Sequence, residues 1–133
     1  MTTTVSLNDT LRTAAQQQAD AFLADISGVT AVVVATADGF DIAAALRRRN
    51  DSSDAGRIAA MASSISAISA VVAAEAGLGQ YKSVTINTDD GSAVVFAVPR
   101  RDVELVIHVI ANGDAILAQV LHRAASMARQ LAG

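Results

Sequence analysis

Cysteine and tryptophan are absent from the 133 residues, and proline, tyrosine and lysine each occur once. Without cysteine there is no disulfide, and no thiolate that could ligate zinc or attack a substrate. Aromatic residues make up only 3% of the chain, whereas ligand pockets are typically lined with aromatic side chains. We therefore expect a core of small aliphatic residues, closely packed elements, and no metal or cofactor site.

The chain also has no large excess of positive or negative charge. Ten Lys and Arg stand against 13 Asp and Glu, which gives a net charge of −3. Without a summed positive field, nucleic acid is not an expected partner. The first twelve residues lack the basic and apolar segments of a secretory signal, so the expected compartment is the cytoplasm. The length fits a single domain over residues 1–133.

The hydrophobic pattern alternates between helical and strand periods and predicts an α+β fold. Asp38 and Gly39 form a typical two-residue hairpin turn between the first two strands. The predicted order is a helix over 6–26, strands over 29–37 and 40–46, a helix over 54–76, strands over 81–88, 93–98 and 103–111, and a last helix that begins near 112–114.

The middle helix has no charged side chain from Ile58 to Ala74. A surface helix normally has a charged face, and one sheet covers only one face of a helix. The faces of the helix that the sheet does not cover need another neighbour, and there are three alternatives: a membrane, other parts of the chain, or a second helix from a partner or another copy. A span needs about 20 largely apolar residues, and the serines in this stretch argue against one. The other two alternatives stay open.

Two sets of residues on this helix are suited to packing. The larger side chains form a stripe with spacings of three and four, typical of a seam against a sheet or helix. The smaller side chains are expected to let a second helix approach closely. The stripe consists of Ile58, Met61, Ile65, Ile68 and Val72, and the small residues are Ala55, Ala59, Ala62, Ser66, Ala70 and Ala73.

Residues for catalysis are few. His108 lies in a predicted strand, where a histidine satisfied by a neighbouring group is the simpler interpretation, and His122 lies on the polar side of the last helix. No catalytic, cofactor-binding or metal-binding residue is predicted, so we do not expect an enzyme. The one run of charge comprises Arg47, Arg48 and Arg49, which is either a solvated loop or a contact for an acidic partner surface.

The order of elements resembles the roadblock family, which includes dynein light chains and bacterial MglB-like regulators of Ras-like GTPases. The residues that carry the resemblance are GVTAVVVATADGFDIAAAL (28–46), AGRIAAMASSISAISAVVAAEAGLG (55–79), the turn at 89–91 and VELVIHVIANGDAILAQVLHRAASMARQL (103–131). It implies a profilin-like fold with a five-stranded antiparallel sheet in the order 2-1-5-4-3 and helices on both faces. In the family, dimers join through their third strands, with the two middle helices side by side.

Together, the resemblance and the uncharged helix predict a homodimer without membrane insertion. The expected function is that of a non-enzymatic regulator or scaffold for a Ras-like small GTPase in the bacterial cytoplasm, with Arg57, Arg100 and Arg101 as candidates for an inserted arginine. The alternative is a profilin-like or PAS-like sensory module that holds a small ligand. The predicted dimer interface consists of Ile58, Met61, Ala62, Ile65, Ser69, Val72, Tyr81, Ser83 and Thr85.

Overall fold

The computed structural model describes residues 2–47 and 52–132. It contains three helices and five strands in the predicted order. The elements are α1 (Thr2–Asp25), β1 (Val29–Thr36), β2 (Asp41–Leu46), α2 (Ser52–Glu75), β3 (Ser83–Thr88), β4 (Gly91–Val98), β5 (Leu105–Asn112) and α3 (Leu117–Ala132).

The strands form one antiparallel sheet in the order β2-β1-β5-β4-β3. β1 and β5 lie at the centre, and both have the almost continuous burial that their β-branched runs predict. α1 and α3 pack on one face of the sheet, and α2 packs on the other. The predicted fold class and strand order are confirmed.

The layer between the sheet and the pair α1 and α3 holds the larger core. Phe22 from α1 and Met127 from α3 are fully buried there against strand residues such as Val34 and Ile107. Large side chains fill this layer because two helices must be joined to the sheet and to each other. The edge strand β2 is covered on this face by α1.

The layer under α2 has fewer buried residues, and most of those that α2 contributes are alanines. Ala59 and Ala62 are fully buried in one cluster with Val33 and Val95 of the sheet. Alanine lets a helix lie close to a sheet, because its side chain adds only a methyl group between the two backbones. The small face of α2 therefore contacts the chain's own sheet together with Ile58, while Ile68, Val71 and Val72 are exposed.

Several predicted boundaries are wrong: α1 begins at Thr2 instead of 6, β4 at Gly91 instead of 93, and β5 at Leu105 instead of 103. The last helix begins at Leu117, because Asn112 still belongs to β5 and its backbone and side-chain oxygens accept the N–H groups of Ala115 and Asp114 in a turn. Gly28, at φ +88°, passes so close to this turn that a Cβ there would overlap the backbone of Ala115. The third strand begins at Ser83 instead of 81.

Candidate functional site

The two edge strands of the sheet differ in exposure. On β3, five of the six residues are exposed, and only Val84 is half-buried. On β2, Ala43 and Ala45 are buried, and the strand lies against α1. β3 is therefore the more accessible edge, and we call it the open edge.

The hydrogen-bond register shows which backbone groups of the open edge point away from the sheet. The Ala97 N–H donates to the Lys82 carbonyl oxygen at 3.0 Å, so residue 82 belongs to a hydrogen-bonded pair with β4. Such pairs alternate along an antiparallel ladder. Ser83, Thr85 and Asn87 consequently direct their N–H and C=O groups outward, as a template for another strand.

Exposed apolar side chains lie on the α2 face of the sheet. Four large side chains of α2 are at least half exposed, and Ile86 of β3 is 40% exposed on the same face as Val84. Contiguous exposed apolar surface on a soluble protein typically marks an interaction site. We call this surface the apolar strip; it consists of Met61, Ile68, Val71, Val72 and Ile86.

The structure places the predicted interface residues at different depths in the single chain. Ile58 is nearly buried and Ala62 is fully buried in the cluster that joins α2 to its own sheet, so neither is available to a partner. Ile65 is half-buried against the same cluster. The physical reason is that α2 turns its alanines to the sheet, which moves its largest side chains outward. Val71 and Ile86 belong to the strip but were missed by the sequence prediction.

The remaining predicted interface residues lie at the open edge or next to it. Met61, Val72, Ser83 and Thr85 are exposed. Ser69 donates to the Ile65 carbonyl oxygen at 2.7 Å and is half-buried.

Tyr81 is fixed on α2 before the open edge begins. Its hydroxyl is hydrogen-bonded to that of Ser66, and burial raises the pKa of the Tyr81 phenol. This contact attaches the start of β3 to the middle of α2, so the open edge and the apolar strip are held in one fixed relation.

At the opposite edge of the sheet, a side chain is hydrogen-bonded to the outward-facing backbone groups of β2. Gln16 of α1 donates through Nε2 to the Ala44 carbonyl oxygen at 2.7 Å and accepts the Ala44 N–H through Oε1 at 3.2 Å. The amide thus makes the two hydrogen bonds that a neighbouring strand would make there. No feature of the sequence singled out Gln16, since it stands in a run of three glutamines.

The arginines have varied surroundings. The Arg47 guanidinium donates to the carbonyl oxygens of Val29 and Leu23, each at 3.0 Å, and so links the end of β2 to the start of β1 and the last turn of α1. Arg48 and Arg49 lie outside the described residues. Arg100 is held by Asp102 at 2.8 Å, and this pairing keeps the pKa of the Asp102 carboxyl down at about 2. Of the three candidates for an inserted arginine, Arg57 pairs with Asp54, and Arg101 is exposed.

His108 lies in the centre of the sheet beneath α2 and is only 2% exposed. Its Nδ1 lies 3.2 Å from the Ile58 carbonyl oxygen, and its Nε2 has no hydrogen-bond partner among the described residues. Burial lowers the pKa of the ring, so the neutral form is favoured. Within residues 2–47 and 52–132, no cluster of three His, Asp or Glu side chains is placed to hold a metal ion.

A groove of about 630 Å³ lies at one end of the sheet, where β4 ends and β5 begins. Its apolar wall includes Phe96 and Ala128, and Lys82, Glu104 and Arg129 contribute charge. The groove lies outside the layer between α2 and the sheet that is filled by Ala59 and Ala62.

The helix residues Asp54–Glu75 are long and apolar enough to cross a membrane by length and composition alone. In this structure, however, one face of the helix is packed on the sheet through Ala55, Ala59 and Ala62. A helix that is one of the sheet's two covering layers is not free to leave it for a lipid bilayer.

A sequence model of the Roadblock/LC7 domain matches residues 15–110. The chain belongs to the Roadblock/LC7 family. The resemblance found in the sequence is thereby confirmed, and the family is generally regulatory rather than catalytic. No curated protein matches the chain.

Solved structures show the same roadblock fold at low sequence identity. A Roadblock/LC7 domain from Streptomyces avermitilis has a TM-score of 0.77 at 16% identity, covering 87% of this chain and 92% of its own. Myxococcus xanthus MglB has a TM-score of 0.77 at 17% identity, with 91% and 86% covered. The gliding protein MglB of Thermus thermophilus has a TM-score of 0.79 at 13% identity, with 92% and 88% covered.

Proposed function

We propose that this roadblock protein is a homodimeric, non-enzymatic regulator or scaffold that docks on a Ras-like small GTPase. One observation carries the dimer: the open edge of β3 belongs to the sheet whose α2 face carries the exposed apolar strip, and Ile86 of β3 is part of that strip. An unpaired strand edge leaves backbone hydrogen-bonding groups without a protein partner, and an exposed apolar helix face is unfavourable in water. A second copy, added edge to edge, covers both at once.

The symmetry of such a dimer restricts how the strands pair. If both copies place α2 on the same face, the two-fold axis runs perpendicular to the joined sheet. This axis leaves every side chain on its own face, and residues that oppose each other in a sheet share a face. A residue of β3 therefore opposes either itself or a residue an even number of positions away.

Three such registers keep the strands overlapped, and we favour the one in which Thr85 opposes itself. It pairs Ser83 with Asn87 of the partner subunit, so all three outward-facing residues of β3 exchange hydrogen bonds. In the register in which Ile86 opposes itself, Ser83 would lie beyond the end of the partner's β3. In the register in which Val84 opposes itself, Lys82 would lie opposite Ile86 of the partner subunit.

The favoured register also joins the apolar surfaces. On the α2 face it sets Val84 against Ile86 of the partner subunit, which extends the strip across the joined sheet. The two α2 helices then face each other through Met61, Ile68 and Val72. Removing each of these half-exposed side chains from water contributes on the order of 1 kcal/mol.

Single cysteines test this dimer, because the chain has none of its own. Residues in a hydrogen-bonded antiparallel pair have Cα atoms about 5.5 Å apart, which is within the range of a disulfide. Thr85→Cys is expected to form a covalent dimer rapidly under mild oxidation, while Val84→Cys and Ile86→Cys form one much more slowly. The readout is non-reducing electrophoresis at micromolar concentration.

The three cysteine variants distinguish a wrong strand register from the absence of a dimer. Fast cross-linking of Ile86→Cys or Val84→Cys in place of Thr85→Cys would leave the dimer standing but overturn the register. No fast cross-linking in any of them, with a monomeric mass in solution, would overturn the dimer.

The GTPase is the second part of the proposal. It is supported by the family, whose bacterial MglB-like members are regulators of Ras-like GTPases, and by the basic run that precedes α2. Since Arg47 already binds two backbone carbonyls, Arg48 and Arg49 are the residues we propose for contact with an acidic partner surface. Any acceleration of GTP hydrolysis then comes from the active site of the GTPase.

Titration with a Ras-like GTPase from the same organism, loaded with a GTP analogue or with GDP, tests this part. We expect the two nucleotide states to bind with different affinity, and the double variant Arg48→Glu, Arg49→Glu to bind more weakly and with less dependence on salt. Arg12→Glu, on the exposed side of α1, is the matched control. Equal binding by the double variant and the wild type would remove these arginines from the proposal.

A further inference from the structure

The β2 edge has the same backbone chemistry as the open edge, but one of its central positions is occupied. The Arg47 N–H donates to the Thr30 carbonyl oxygen at 2.9 Å, which places residue 47 in a hydrogen-bonded pair with β1. By alternation, Ala44 and Leu46 direct their N–H and C=O groups away from the sheet. Gln16 makes a hydrogen bond to each of these groups on Ala44.

The Gln16 amide is held in place from both sides. Its Nε2 also lies 3.0 Å from the Asp20 carboxylate, one helical turn along α1. The helix itself is fixed to the sheet through the fully buried Ala15 and Ala19. The amide is therefore preorganised at the edge, and an incoming strand has to displace it before it can pair with Ala44.

The side chains of β2 do little to prevent strand addition. Its sequence, Asp-Ile-Ala-Ala-Ala-Leu, contains one charged residue, at the first position, and no lysine or proline. Edge strands are usually protected by such residues, by bulges or by a covering element. Here the register of β2 shifts between Val34 and Ala35 of β1, near the start of the strand, so the remainder is regular.

We propose that Gln16 closes the β2 edge against pairing with the β2 edge of another copy, and so restricts self-association to the β3 edge. Displacing Gln16 exposes both hydrogen-bonding groups of Ala44 in the middle of a regular, mostly apolar strand. Two β2 edges can then pair as β3 edges are proposed to do. In a protein that already dimerises through β3, which is the proposed function on which this consequence rests, the product is a chain of dimers.

Gln16→Met tests the proposal because methionine has nearly the same length but no amide. Gln17→Met, at an exposed position of the same helix, is the matched control. Two quantities are measured: amide hydrogen exchange at Ala44 and molar mass by light scattering over a wide concentration range. We expect exchange at Ala44 to rise roughly fivefold in Gln16→Met, as one lost hydrogen bond of about 1 kcal/mol implies. The mass is expected to grow with concentration in multiples of the wild-type particle.

A second variant, in which the β3 edge is disrupted, tests the closure of the β2 edge independently of the proposed β3 dimer. Thr85→Pro removes an outward N–H group from β3, so in Thr85→Pro, Gln16→Met the β2 edge is the one left to associate. This double variant is expected to form a dimer where Thr85→Pro alone is a monomer.

Either of two results would overturn the closure of the β2 edge. One is unchanged exchange at Ala44 in Gln16→Met. The other is faster exchange with no increase in mass, in both backgrounds, at the highest concentration reached. A monomeric wild type with an associating Gln16→Met would refute the dimer but support the closed edge.

Discussion

The two edges of this sheet present similar backbones to solvent, yet one is closed and the other is open. At β2, α1 covers one face of the strand and Gln16 of that helix satisfies Ala44. At β3, five of six residues are exposed, and Ser83, Thr85 and Asn87 direct their backbone groups outward. The difference shows that what lies beside a strand, more than the strand itself, decides whether an edge is available.

The same contrast holds for the two apolar sides of α2. The alanine side is buried against the sheet, whereas Ile68 and Val71 are each more than 60% exposed. A helix with one apolar side needs only a sheet, but a helix with two needs a sheet and a second cover. The Tyr81–Ser66 hydrogen bond links the start of the open edge to α2, and we propose that one partner covers both the edge and the uncovered side of the helix.

The largest effect is expected from a charge on the uncovered side of α2. Val72→Asp should abolish dimerisation, because a carboxylate is buried without a partner in the interface. The monomer should keep its fold, since Val72 is 59% exposed in the single chain. Light scattering and circular dichroism report the two properties. Ala70→Asp, at an exposed position of α2 whose helical neighbours are not part of the apolar strip, is the control that should leave the mass unchanged.

A charge on the other side of the same helix sharpens this contrast. Ala62→Asp places a carboxylate in the fully buried layer under α2 and should unfold the protein. If Val72→Asp also unfolded it, or if both variants behaved like the wild type, the assignment of the two sides would be wrong.

A proline scan of the open edge should give the next largest effect. Thr85→Pro removes an N–H that points away from β4, and the symmetric dimer loses two hydrogen bonds of about 1 kcal/mol each. The dimer should dissociate roughly 30-fold more readily while the monomer stays folded. Val84→Pro removes an N–H that β4 uses, so it should destabilise the hairpin itself. The opposite ranking of the two variants by thermal melting would refute the register of β3.

The smallest effect is expected from pH, through His108. Its folded pKa lies below the ordinary value, so below about pH 6.5 the unfolded chain binds more protons than the folded one. Stability should therefore fall as pH drops through 6.5 toward the folded pKa, by at most about 1.4 kcal/mol per pH unit. The groups that face His108 are apolar, namely Val33 and Val95 on the neighbouring strands and Ile58 on α2, while the nearest acidic residue along the chain, Glu104, lies just before β5 begins.

Urea melts of three proteins at pH 7.5 and 5.5 check this prediction. His108→Leu should lose most of the pH dependence, whereas His122→Leu, at an exposed position of α3, should keep it. An unchanged pH dependence in His108→Leu would assign the effect to other groups.

The sequence predicts the order of helices and strands and the layers they form better than it predicts which side chains of those elements are exposed. β-branched runs identify the central strands, and the uncharged stretch of α2 shows that the helix needs two covers. The strand order came from the family resemblance, because periodicity does not say which strands are neighbours.

Which side of α2 faces the sheet was not evident from the periodicity, since Ile58 and Ile68 belong to the same stripe of spacings but end at different depths. The reason is that the path of the helix over the sheet, set by close contact of Ala59 and Ala62, decides where the stripe leaves the core. Gln16 was equally hidden. Its role depends on how far α1 overhangs β2, a relation between two elements that local sequence does not encode.

The molar mass of the wild-type protein at micromolar concentration tests the central claim most directly, namely that β3 and the uncovered side of α2 bind a second copy. Light scattering should give twice the 13.6 kDa of the chain. A particle of 13.6 kDa across the whole concentration range would contradict the claim.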